Sequence, residues 1–109
     1  MTHWELIHTQ ERDGFTLALH FTPEDDDPED HFGIDNDAMY ERIRCGDLLW
    51  FVARVTASRA GVELGTSYLG RCCYDNADQF IEHSFDDLAD DAIAEARATL
   101  AKLMEGVEV

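Results

Sequence analysis

The sequence predicts an α+β fold: a four-stranded antiparallel sheet, in the chain order β-β-α-β-β-α-α, packed by a long C-terminal helix. Three observations predict it. Apolar residues alternate in two early segments around Asp13 and Gly14. An unbroken apolar run, Leu48 to Ala53, opens a segment rich in β-formers. The last third of the chain carries its apolar residues at helical spacing.

The first hairpin comes from Trp4, Leu6 and His8 alternating with Glu5, Ile7 and Thr9, and from Phe15, Leu17, Leu19 and Phe21 alternating with Thr16, Ala18, His20 and Thr22. Asp13-Gly14 favours the positive dihedrals of a type I′ turn, and pairing about it sets Leu6 opposite Phe21 and His8 opposite Leu19. Pro23 to Gly33 follows as an exposed loop holding Glu24, Asp25, Asp26, Asp27, Glu29 and Asp30, broken by Pro28. Asp35 or Asn36 then caps a short helix through Ala38, Met39, Glu41, Arg42 and Ile43 that ends near Gly46 and lies across the sheet.

Leu48 to Ala57, with Trp50, Phe51, Val52, Val55 and Thr56, suits a central strand covered on both faces. Arg59, Ala60 and Gly61 turn the chain into a fourth strand, Val62 to Leu69, where Gly65 and Gly70 mark a bulge or a close backbone approach. A short helical piece near Asn76 to His83 precedes a long helix from about Phe85 to Met104. Ser84 and Asp87 have the spacing of a capping box. On a helical wheel Leu88, Ala92, Ile93, Ala96, Leu100, Leu103 and Met104 share one half, and Asp86, Asp87, Asp90, Asp91 and Glu95 the other.

The 109 residues amount to a single acidic α+β domain, with no repeat or linker. Its 24 Asp plus Glu against 8 Lys plus Arg give a formal net charge of -16. Phosphate would be repelled by that surface, which argues against direct nucleic-acid binding. With 45% hydrophobic residues the chain is too apolar for a disordered acidic tail. No apolar run approaches the roughly 18 to 20 residues of a membrane span. The N-terminal residues lack the pattern of an export signal, so a cytoplasmic setting in a bacterial host cell is expected. Three cysteines, with Cys72 and Cys73 adjacent, suit reduced thiols better than a disulfide framework.

Catalytic and cofactor motifs are missing from the pattern. Gly65, Thr66, Ser67, Tyr68, Leu69 and Gly70 miss the Gly-x-Ser-x-Gly nucleophile elbow by one position, and there is no phosphate loop, dinucleotide fingerprint or His-Glu-x-x-His. Cys45, Cys72, Cys73 and His83 offer zinc donors. Neighbouring strand residues point to opposite faces, however, and no Cys-x-x-Cys pair exists. Asp25, Asp27 and Glu29 alternate as in a calcium loop, but Asp30 stands where that loop needs Gly and Asn36 where it needs a bidentate Glu. His8 suits a hydrogen-bonded core position, and His3, His20, His31 and His83 show no partners in the sequence. No cofactor and no metal are expected.

The charge is the remaining lever. A globule of this length has a radius of gyration of roughly 13 Å and spans about 34 Å, the length of duplex that carries about 20 phosphates. Asp86 with Asp90, and Asp87 with Asp91, form two adjacent rows with a rise of about 6 Å per pair. The bias of 14 Asp over 10 Glu and 7 Arg over one Lys also fits adaptation to high salt or to a GC-rich genome, although 11 aromatic residues and three cysteines weigh against the salt explanation.

Val55 to Ile81, above all Glu63, Leu64, Gly65, Thr66, Ser67, Tyr68, Leu69, Gly70, Arg71, Cys72, Cys73 and Tyr74, resembles a segment of small uncharacterised acidic proteins carried on bacterial plasmids and phages. The resemblance implies a mobile-element setting. By size and charge the chain is similar to anti-CRISPR and anti-restriction inhibitors that imitate DNA. A non-catalytic inhibitor is therefore expected, its partner the basic surface of a nucleic-acid-binding defence complex. Its contact residues would be Glu24, Asp25, Asp26, Asp27, Glu29, Asp30, Asp86, Asp87, Asp90 and Asp91. The alternatives are a protein-interaction module whose acidity serves solubility, with Tyr68 or Tyr74 at the contact, and a metal or thiol enzyme using Cys72 or Cys73.

Overall fold

Two hairpins supply the sheet, and the structure, a computed structural model, describes residues 3–25 and 37–105. β1 (Glu5–Arg12) and β2 (Phe15–Pro23) are joined by Asp13 at φ 55° and Gly14 at φ 83°, the two positive values that a type I′ turn requires. β3 (Leu49–Arg59) and β4 (Val62–Tyr74) are joined in the same way by Ala60 at φ 54° and Gly61 at φ 78°. Arg59 ties the two turns together, donating from Nε to the Gly14 carbonyl at 3.1 Å with its guanidinium 4.3 Å from the centre of the Phe15 ring. The strand order is β1-β2-β3-β4, antiparallel throughout.

Register departs from expectation at one point. His8 does pair with Leu19, but Glu5, not Leu6, pairs with Phe21, because the ladder slips between Leu6 and His8. A one-residue slip moves side chains to the other face of a sheet. Leu6 accordingly is 56% exposed, whereas Ile7 packs against the core.

β3 is central, yet it is fully covered on one face only. Phe51, Ala53, Val55 and Ala57 are buried, while Trp50, Val52, Arg54 and Thr56 between them are half-buried. The apolar run reflects a second face sheltered by large neighbouring side chains, with no second layer over it among the described residues.

β4 runs five residues past the expected end at Leu69 and shifts register twice. Leu64 is squeezed out between the Ala57–Gly65 and Ser58–Glu63 pairs. Gly70 and Arg71 bulge opposite Val52, with Arg71 at φ 54°.

The expected pair of C-terminal helices is one 29-residue helix. α2 (Ala77–Phe80) passes through a π-helical turn (Ile81–Phe85) into α3 (Asp86–Glu105). The N-cap is Asn76, whose side chain accepts from the Gln79 N–H at 2.8 Å. Ser84 caps nothing. It lies within the π turn with its hydroxyl 2.5 Å from that of Tyr74, so no capping box forms with Asp87. In an α-helix, residues five apart point about 140° apart. The wider π turn brings Phe80 and Phe85 to the same side, where they are 0% and 2% exposed.

The core lies between this helix and one sheet face. Leu88, Ala89, Ala92, Ile93 and Ala96 meet Phe15, Leu17, Leu19, Val55 and Ala57, and Ser67 donates to the Leu88 carbonyl at 2.7 Å. A Cβ on Gly65 would sit 2.2 Å from the Ala92 carbonyl oxygen and 2.5 Å from the Ala96 nitrogen, so only glycine lets α3 come this close. At the other end, Phe80 makes edge-to-face contacts with Phe21, Phe51 and Tyr74, with ring centres 5.3 to 5.6 Å apart.

The remaining helix, α1 (Asp37–Arg44), is held to the end of β4 by Arg42, which donates to Asp75 at 2.8 Å. Its expected cap at Asp35 or Asn36 lies outside the described residues. The radius of gyration is 16.7 Å and the principal extents are 62 × 26 × 23 Å, so the molecule is longer and narrower than the size law suggests. No helix among the described residues is long and apolar enough to cross a membrane.

Candidate functional site

α3 places the four expected aspartates together. Leu88, Ala92 and Ala96 hold one side of the helix on the sheet, so Asp87 and Asp91 fall opposite them, on the outward ridge, all the more exposed for having Ala94 and Ala98 as their neighbours along it. Asp86 and Asp90 lie beside the ridge on the flank facing β1. There Arg12 meets Asp86 at 2.8 Å and Asp90 at 3.8 Å. The two rows thus differ in electrostatics. One is partly neutralised by Arg12, while Asp87 and Asp91 have no ion pair or hydrogen bond among the described residues.

The ridge extends in both directions. Asp78, Glu82 and Glu95 are also exposed on the continuous helix. From Asp78 to Glu95 the rise is about 26 Å, which gives these seven carboxylates a mean axial spacing of about 4.3 Å, the same order as the 3.4 Å of phosphates along one DNA strand. Sequence periodicity identified the four aspartates. Asp78 and Glu82 were not foreseen, because the helix break expected before Phe85 separated them from the ladder.

The other expected acidic group lies elsewhere. Glu24 and Asp25 follow β2 at the sheet face turned away from α3. Glu24 accepts from the Arg71 N–H at 2.6 Å, clamping the β4 bulge. Asp26, Asp27, Glu29 and Asp30 lie outside the described residues. Within the described part, then, the expected contact acids fall on two surfaces separated by the sheet.

On that second face Arg54 pairs in register with His20 and Tyr68. Its guanidinium stacks 4.3 Å from the Trp4 ring centre, and the Trp4 and Tyr68 rings are 6.2 Å apart. His20 is held below its ordinary pKa by burial and then by the Arg54 charge. Nothing in the alternating pattern that runs into β1 singled out Trp4, since its ring reaches past β2 to Arg54 on β3.

Cys72 and Cys73 point to opposite faces, paired with Phe51 and Trp50 respectively. Cys72 is buried and donates to the Leu69 carbonyl at 3.2 Å. Its thiol is pushed up to about 11 by burial, the opposite of what an activated nucleophile needs. Cys45 is exposed, with Sγ 3.6 Å from a Glu41 carboxylate oxygen. Local desolvation and then Glu41 raise its thiol pKa. Among the described residues no three His, Cys, Asp or Glu side chains gather to hold a metal ion. Iodoacetamide at pH 8 should therefore modify Cys45 first. Cys72, with a thiolate fraction about 100-fold below that of an ordinary thiol and no access, should react only on unfolding. Peptide mass spectrometry over time checks this, and early labelling of Cys72 would contradict its burial.

His8, expected in the core, is half-buried, with its ring edge-on to Phe85 at 5.4 Å and Nε2 at 3.2 Å from the Gln10 amide.

Fold and site together define an α+β protein with an acidic helix ridge on one face and an aromatic, arginine-bearing sheet on the other. No protein-family model, no curated protein and no solved structure matches the chain.

Proposed function

We propose that the chain acts without catalysis, as an inhibitor from a mobile genetic element that imitates DNA and blocks the basic DNA-binding groove of a bacterial defence complex, of the anti-CRISPR or anti-restriction kind. The observation that carries this reading is the outward ridge of Asp87 and Asp91, about 6 Å apart along the axis and without a counter-ion among the described residues, in a chain of net charge -16. The narrow cross-section of 26 × 23 Å supports it as well, because a cleft that closes around a duplex can grip both faces of such a body.

Charge-driven association is fast and weakens steeply with salt. Capture of partners from cells carrying a defence system, eluted along a salt gradient, should release nucleic-acid-binding proteins at moderate ionic strength. Elution indifferent to salt overturns the proposal. Asp87→Lys with Asp91→Lys should weaken binding of the captured partner by about 10-fold or more, mainly through the association rate, and by more than substitution of Arg54 or Arg59 does. Surface plasmon resonance at two salt concentrations measures both effects.

A second reading is favoured by one observation, the 62% exposure of Tyr68 beside Leu69 on an edge strand. An interaction module using that edge would lose its partner on Tyr68→Ala and keep it on reversal of the helix charges.

A further inference from the structure

The sheet face away from α3 holds a cavity of about 500 Å³, walled by Trp4, Tyr68 and Val52, floored by buried Thr22 and rimmed at one end by Glu24 and Asp25. Aromatic walls with carboxylates at one end suit an amphipathic cation. An anion would meet Glu24 and Asp25, and a wholly apolar occupant would strip water from those carboxylates without replacing it. Arg54 refines the orientation. Its guanidinium already occupies the Trp4 ring, with Nε buried and without a hydrogen-bond partner among the described residues, so a second cationic head is repelled from the ring centre and drawn toward the carboxylates. The same stack holds the indole in place before anything binds. What fits is a flexible methylene stem against the rings with a charged head at the acidic end, as long basic side chains arrange themselves on apolar surface.

We propose that this pocket receives one arginine or lysine side chain of a basic protein partner, its stem between Trp4, Tyr68 and Val52 and its head at Glu24 and Asp25. The identity of the macromolecule rests on the charge-based reading above. The chemistry of the occupant rests on the pocket alone.

The test uses the full chain labelled with nitrogen-15, the Trp4 indole resonance being told from that of Trp50 with Trp50→Phe. N-acetyl-arginine amide is titrated at constant ionic strength, with N-acetyl-norleucine amide as the uncharged control. A single side chain in an open pocket should give a saturable Trp4 shift with a Kd on the order of millimolar. Asp25→Asn should weaken it by about two- to fivefold. Tyr68→Ala, at an exposed position, should weaken it by about fivefold or more, with the rest of the amide spectrum unchanged. No saturable shift, an equal shift with norleucine amide, or unaltered binding in Tyr68→Ala overturns the proposal. If arginine binding fails while salt-sensitive capture persists, the pocket assignment alone falls. If capture is indifferent to salt while arginine binds, the charge-based reading alone falls.

Discussion

Gly65→Ala should destabilise the protein by about 3 kcal/mol or more, at the upper end of overpacking costs. The new methyl carbon would lie 2.2 Å from a carbonyl oxygen and 2.5 Å from an amide nitrogen of α3. Both are main-chain atoms of a continuous helix, so no side chain can rotate away. Either the helix lifts from β3 and β4, exposing Ala92 and Ala96, or β4 distorts. For a domain of this size the melting temperature should fall by about 12 to 24 °C. Thermal unfolding followed by circular dichroism measures it. A fall of only a few degrees would mean that helix and sheet are not in this contact.

Phe80→Ala should cost about 3 to 5 kcal/mol, a large part of the 5 to 15 kcal/mol that holds a typical domain together. Phe80 is 0% exposed and meets three aromatic rings at once, two of which, Phe21 and Phe51, stack on each other with centres 4.0 Å apart. Truncation leaves a cavity that rigid rings cannot collapse into, and it removes the anchor of α2 at the entrance to the π turn. Urea denaturation should show a lower midpoint with an unchanged slope. Phe80→Leu, which keeps most of the volume, should recover more than half of the loss. Equal losses in the two variants would show that volume is not what the site requires.

The alternation around Asp13-Gly14 was enough to place the first hairpin, and the apolar spacing from Leu88 to Ala96 was enough to place the helix on the sheet, since both patterns are local consequences of strand and helix geometry. Gly65 was legible as a close approach, though not as an approach to Ala92, because sequence carries no information on which helix turn lies above it. Three features escaped local reasoning. The Ile7 bulge turns Leu6 outward against an unbroken alternation. The π turn joins two helices where Ser84 imitates a cap. Trp4 crosses strands to cover Arg54. Each depends on side chains far apart in the chain competing for the same space.

At the candidate site, the spacing of Asp86, Asp87, Asp90 and Asp91 was legible, but their division into a paired and an unpaired row was not. Arg12 is 74 positions from Asp86 and reaches it only because the hairpin and the helix pack together. Glu24 and Asp25 were grouped with the helix aspartates by sign of charge alone, and the sheet between them decides otherwise.

Both outermost strands of the sheet are interrupted. β1 slips at Ile7, and β4 slips at Leu64 and again at Gly70 and Arg71, where Glu24 fixes the distortion. A long, straight outer strand would offer a row of free amides and carbonyls as a template for another chain, and these kinks spoil its flatness and spacing. The sheet can thus leave the side opposite α3 without a helix among the described residues and still not invite copies of itself to add strand to strand into a growing fibre.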